Sequence, residues 1–176
     1  MNSPSRNIRR LTLDALLISL ALVLSLAERW IPLELLVPVP GIKLGLANIV
    51  TLFAVLRLKG SDALLIVVTR SLILGAISGP TTLLFSLAGG LLALVFMLLA
   101  AQGHEKVFSV VGISLAGAAA HNVGQVAIAS LVLQEPLLLL TYLPPLLLTG
   151  LVTGTLTGIA AYPVVTRFRL PVERAG

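Results

Sequence analysis

Residues 82–101, beginning at Thr82 and ending at Ala101, read TLLFSLAGGLLALVFMLLAA. No side chain in this stretch carries a charge. Wound as a helix at about 1.5 Å per residue, it would cover about 30 Å, the thickness of a bilayer's hydrocarbon core. A barrel strand would alternate apolar and polar residues over about ten positions. This run is longer and does not alternate, so it reads as a transmembrane helix.

The chain on either side repeats the pattern. Apolar runs at 11–27, 44–58, 63–77 and 108–133 are separated by polar, proline or glycine punctuation. A last apolar region covers 137–165 and is interrupted by Pro144 and Pro145. Its spanning part is expected at 146–163, with the earlier portion an interfacial or re-entrant lead-in. The runs at 44–58 and 63–77 are short for a full crossing. They imply tilt, shielding by neighbours, or ends that line a cavity. Ser61-Asp62 reads as an N-cap pair for the third helix. Run 11–27 has no small-residue cleavage site behind it and ends in Glu28-Arg29-Trp30, so it is expected to be an uncleaved first helix.

Composition agrees. The 176 residues are 57% hydrophobic and 11% charged, with a mean hydropathy of +1.07. Soluble domains carry roughly a quarter charged residues, so this chain cannot coat a water-facing surface. The expected fold is an all-α membrane protein, a bundle of about six transmembrane helices forming a single integral membrane domain over 1–176. There is no cysteine, hence no disulfide framework or thiolate metal site. The net charge of +5 does not point to nucleic acid, because basic residues flank spans on the cytoplasmic side.

Basic residues give the topology. With six spans, Arg6, Arg9, Arg10, Arg57, Lys59, Lys106, Arg167, Arg169 and Arg174 share one side. Only Arg29 and Lys43 fall on the other, and Arg70 lies within a span. This bias predicts cytoplasmic termini and a multi-pass protein of the bacterial cytoplasmic membrane, with Trp30 as an outer interfacial anchor. The two halves show no self-similarity that would suggest an inverted-repeat carrier.

Small residues recur at four-residue spacing in two places. Gly150, Gly154 and Gly158 form one stripe, and Gly112, Ala116, Ala120 and Gly124 another. Such stripes serve close packing inside the bundle or docking of another protein. The polar residues inside the runs are sharper signals. A central Arg70 costs at least about 2.5–3.5 kcal/mol, so it needs a partner or a ligand, with Glu28 the candidate partner. His121, Asn122 and Gln125 lie together, with His121 and Gln125 on one face. They imply an interhelical hydrogen-bond network or a substrate site. Lys43 stands before the second helix, where free N–H groups and the helix dipole favour an anion. A tight glycine turn with a snorkelling lysine reads the same residues without a ligand. No metal or cofactor is expected. The histidines are few, the only aspartates are Asp14 and Asp62, and there is no Walker sequence. No nucleophile–base–acid set can be assembled, so the chain is not expected to be an enzyme.

Three blocks carry a resemblance: Pro40-Gly41-Ile42-Lys43-Leu44-Gly45-Leu46-Ala47-Asn48, Ser86-Leu87-Ala88-Gly89-Gly90-Leu91, and Gly117-Ala118-Ala119-Ala120-His121-Asn122-Val123-Gly124-Gln125. With the ending Leu148-Thr149-Gly150-Leu151-Val152-Thr153-Gly154 they resemble the Gx transporter family, whose members are also labelled heptaprenyl diphosphate synthase component I. That family is similar to the substrate-binding S components of energy-coupling factor (ECF) transporters. The resemblance implies a six-helix bundle that holds a small molecule near its outer face. It also implies docking on a transmembrane coupling subunit driven by two ATPases, in contact with a small-residue pair on the first helix. Here that pair is Ala15 and Ser19, with serine in place of the second alanine. The expected substrate contacts are Arg70, His121, Asn122 and Gln125, capped by Glu28, Lys43 and Asn48. The alternative is a membrane accessory component of a heptaprenyl diphosphate synthase.

Overall fold

The computed structural model describes residues 4–28, 30, 45–104 and 106–167. Seven helices account for them: α1 Pro4–Glu28, α2 Leu46–Arg57, α3 Gly60–Ser78, α4 Pro80–Ala101, α5 Val110–Leu133, α6 Leu138–Thr141 and α7 Leu143–Arg167. No strand occurs among the described residues. Five helices are long and apolar enough to cross a membrane: α1 from Ile8 onward, α3, α4, α5 and α7.

Helix α2 is the sixth apolar helix, and it has only 12 residues. At 1.5 Å per residue it rises about 18 Å, well short of the ~30 Å hydrocarbon core. It compensates by being central, packing against α1, α3, α4, α5 and α7. Val50 and Ala54 join Ala21, Ile66, Val67 and Leu94 in one apolar cluster. Leu52, Phe53 and Leu56 join Met97, Ile113 and Val165 in another. The longer helices thus screen its backbone ends from lipid, as spanning structures require.

Local chemistry sets the boundaries. Gly45 precedes α2 at φ 71, a left-handed conformation that glycine adopts without penalty. Gly79 at φ 98 separates α3 from α4, and Pro80 then opens α4 at a position that needs no N–H donor. Ser109 caps α5 by accepting from the Gly112 N–H at 3.1 Å. One expectation is corrected. Ser61-Asp62 is not an N-cap pair: α3 starts at Gly60, and Asp62 lies in its first turn, accepting from the Lys59 N–H at 3.3 Å. The break in region 137–165 falls at Tyr142, between α6 and α7, and Pro144 and Pro145 occupy the first turn of α7, where missing donors cost nothing. The lead-in shrinks to α6, one turn of helix.

The bundle exposes large apolar side chains, and small and hydroxyl-bearing residues are buried between its helices beside the apolar clusters. Leu16, Val23, Leu72, Leu99, Leu131 and Leu151 are exposed, whereas Ser71, Ser86, Ser114, Thr153 and Thr157 are buried. Lipid tails give helices no hydrophobic reason to associate, so close backbone approach and polar contacts must do it. The α7 stripe does this against α5. A Cβ on Gly158 would lie 2.8 Å from Val111 Cα, and one on Gly154 would lie 2.9 Å from Ala118 Cβ. At the same seam the Ser114 hydroxyl donates to the Gly154 carbonyl at 2.8 Å. Gly124 faces the other way, where a Cβ would lie 2.7 Å from the Ala88 carbonyl oxygen of α4. These glycines are therefore internal packing positions.

The start of α1 and the end of α7 lie on one side. Arg10 Nε donates to the Asp62 carboxylate at 2.9 and 3.0 Å, and Arg57 Nε donates to the Val165 carbonyl at 2.6 Å. Asp62 and Arg57 flank the same short α2–α3 turn.

Candidate functional site

Two adjacent glycines organise the polar interior. Neighbouring residues on a helix point about 100° apart, so Gly89 and Gly90 open α4 toward two different helices. A Cβ on Gly90 would lie 2.9 Å from Val67 Cγ1 and 3.2 Å from Arg70 Nη2 on α3. A Cβ on Gly89 would lie 2.9 Å from His121 Cε1 and 3.0 Å from Gln125 Cγ on α5. The pair therefore brings Arg70 and the His121/Gln125 face to one level of α4. Beside it, Ser71 and Ser86 hydroxyls are 2.9 Å apart and tie α3 to α4.

Arg70 is 4% exposed, and its Nε has no hydrogen-bond partner among the described residues. Arginine stays charged and presents a planar fork of donors, so an unmet donor here is costly. Its electrostatic partner is Glu28, at the end of α1, which is also buried. The Glu28 carboxylate in turn accepts the Gly45 N–H through Oε1. Asn48, in the first turn of α2, is buried next to Gly45, with its Nδ2 3.2 Å from where a Gly45 Cβ would stand. Glu28 and Asn48 thus both lie beside the N-terminus of α2.

Asn122 is placed differently from its neighbours. Its Nδ2 donates to the Leu146 carbonyl at 2.7 Å and sits 2.6 Å from where a Gly150 Cβ would stand. It faces α7, while His121 and Gln125 face α4. Lys43 lies outside the described residues. Ala15 and Ser19 are exposed on α1, and the Ser19 hydroxyl donates to the Ala15 carbonyl at 2.9 Å.

A second charged cluster was not anticipated from sequence. Arg10 joins the Asp62 carboxylate through Nε and Nη2, and its Nη2 also donates to the Ser61 hydroxyl at 3.1 Å. Asp14, one turn along α1, is 3% exposed, and its Oδ1 lacks a hydrogen-bond partner among the described residues. The signal was available, since Arg10 and Asp14 are four apart on one helix face. Among the described residues no group of three or more His, Cys, Asp or Glu could hold a metal ion.

These features define an α-helical membrane protein in which Arg70, His121 and Gln125 meet α4 at a diglycine. Residues 17–164 match the family model described as heptaprenyl diphosphate synthase component I, and the chain belongs to that family. Comparison with curated proteins and with solved structures gives no match.

Proposed function

We propose that this chain is a substrate-binding membrane subunit, similar to an S component, of an energy-coupling factor type transporter. It takes up a small molecule without an ATPase of its own and performs no covalent chemistry. The observation that carries this reading is the buried Arg70, seated on Gly90 with an unmet Nε donor, at the level where Gly89 seats His121 and Gln125. A few oriented polar groups in an apolar surround are what a small-molecule site needs. The excess of Lys and Arg on the side of the α1 start and α7 end supports a cytoplasmic position for both termini, in a bacterial cytoplasmic membrane. The exposed Ala15 and Ser19 would meet a transmembrane coupling subunit, which two ATPases drive.

The test is uptake into vesicles by the chain reconstituted with such a coupling module. Folded Arg70→Ala and His121→Ala variants are expected to lose uptake. Unchanged uptake in both would remove these residues from the site.

The family description favours a second reading, a membrane accessory component of a heptaprenyl diphosphate synthase. The chain's two aspartates lie at the Arg10 end of α1 and α3, Asp62 in an ion pair. Diphosphate chemistry would then belong to a partner. Co-purification with an aspartate-rich synthase whose activity requires this chain would put this reading first.

A further inference from the structure

Among the described side chains of α1, three are buried: Asp14, Ala21 and Glu28. They are seven residues apart and form one inward stripe on a helix that otherwise exposes Leu11, Leu16, Leu20 and Val23. Ala21 packs in the apolar cluster with Ala63, Ile66 and Val67 of α3, flanked by Leu17 and Ile18. One turn before Asp14, Arg10 is bound to Asp62. Asp14 is thus confined between an ion pair and an apolar cluster, on the face of α1 that meets α3. It is 3% exposed, and its enclosed Oδ1 has no hydrogen-bond partner among the described residues. An ionised carboxylate left this way costs far more than a neutral carboxyl, so a group in such a place takes up a proton. A metal ion would need several oxygen ligands, and no group of three or more His, Cys, Asp or Glu comes together among the described residues. A proton needs no such cage.

The other charged groups on α1 and on its neighbours α2 and α3 are turned elsewhere. Arg9 and Lys59 are exposed, Arg57 donates to the Val165 carbonyl, and Arg70 faces Gly90 of α4. Glu28, at the far end of α1, accepts the Gly45 N–H. That leaves Arg10, with two carboxylates in reach. We infer that Asp14 is a proton-binding site, that it is neutral while Arg10 holds Asp62, and that loss of its proton draws Arg10 from Asp62 to Asp14 and unfastens α1 from α3. Arg10 and Asp14 are four apart on one helix face, with Cβ atoms about 5–6 Å from each other, so a change of rotamer carries the guanidinium between the two. With Asp14 neutral, the charged acceptor is on another helix. With Asp14 ionised, a second acceptor stands on the same helix and in a drier place, where attraction is stronger. The released proton passes to water on the exposed side of Arg10, and Asp62 keeps the Lys59 N–H. This proton site concerns how α1 is held to α3 and stands whether or not the chain binds a small molecule.

The experiment uses the full chain in lipid nanodiscs. Dicyclohexylcarbodiimide, an apolar reagent, adds to a neutral carboxyl: the proton passes to its nitrogen and the carboxyl oxygen bonds to its carbon. The adduct is mapped by mass spectrometry of peptides. At neutral pH Asp14 is expected to be labelled and Asp62 at least about tenfold less, because an ion pair holds Asp62 charged. Asp14→Asn, which has the shape of the neutral acid, is expected to lose the label. The chain has no cysteine of its own, so spin labels on Leu11→Cys and Leu64→Cys, both exposed positions, report the distance between α1 and α3. In the otherwise wild-type chain this distance is expected to be narrow at neutral pH and to broaden at alkaline pH, at the same midpoint at which labelling of Asp14 disappears. In Asp14→Asn it is expected to stay narrow throughout. If Asp14→Asn fails to fold, agreement of the two wild-type midpoints decides alone. Asp14 labelled no more than Asp62 at neutral pH would overturn the inference. So would a wild-type distance that ignores pH, or one that changes with pH equally in Asp14→Asn.

Discussion

Arg10 and Arg70 both lie in long apolar helices of this bundle, and they are treated in opposite ways. Arg10 on α1 is half-exposed, and both its Nε and Nη2 meet the Asp62 carboxylate, with the Ser61 hydroxyl taking a further bond. Arg70 on α3 is buried, and its Nε has no hydrogen-bond partner among the described residues. A charged group near a helix end can afford a complete local partner set and so acts as a fastener between α1 and α3. A charged group near mid-span with an incomplete set costs stability and persists only if something else uses it. In the reading proposed above, the contrast separates a charge that fastens two helices from one that would meet a ligand.

The largest expected effect comes from filling the seat of Arg70. Gly90→Val places a branched side chain against Val67 and Arg70, and overpacking of this kind costs typically 1–3 kcal/mol. We expect a loss of about 3 kcal/mol by denaturant titration, together with loss of ligand binding. A variant of unchanged stability would mean that Arg70 is not held against α4. Next is the fastener. Asp62→Asn strips Arg10 of its carboxylate, and because Arg10 is half-exposed the loss should be only about 1–2 kcal/mol, discounted for solvent screening. Ligand retention per folded protein should not change. Third, and opposite in sign, the double variant Glu28→Gln with Arg70→Met removes both buried charges and should leave stability equal or raise it by about 1 kcal/mol while abolishing retention. Were that double variant destabilised as strongly as Asp62→Asn, the distinction between the two arginines would collapse. The smallest effect is Ser19→Ala. Its hydroxyl bonds only within its own helix turn, so stability should move by less than about 0.5 kcal/mol. Uptake with a coupling module is the only readout expected to respond to it.

The spans were legible because an uncharged run such as 82–101 admits one reading in any environment. The short run beginning at 44 was legible as an oddity, but its cause was not. That α2 sits at the centre depends on contacts with five other helices, which no local pattern encodes. Glu28 and Arg70 could be paired from sequence only as the available opposite charges. His121 and Gln125 share a face by their spacing, as expected, whereas Asn122 turns to α7 because the Leu146 carbonyl offers a partner there. The Gly89–Gly90 pair was visible as a motif, but its purpose was not, since a glycine announces close approach without naming what approaches. Asp62 was misread as the residue before the helix, whereas it lies inside the first turn, where its carboxylate accepts the Lys59 N–H and also meets the distant Arg10, which no local pattern encodes. Lys43 lies outside the described residues and is untouched by this comparison.

The central claim is that the interior around Arg70 holds a small molecule. Its most direct test is mass spectrometry of molecules retained by wild-type, Asp62→Asn and Arg70→Met chains in nanodiscs, normalised to folded protein. The account predicts one species retained equally by wild type and Asp62→Asn and lost from Arg70→Met. Equal retention by all three chains, or none by any, would contradict it.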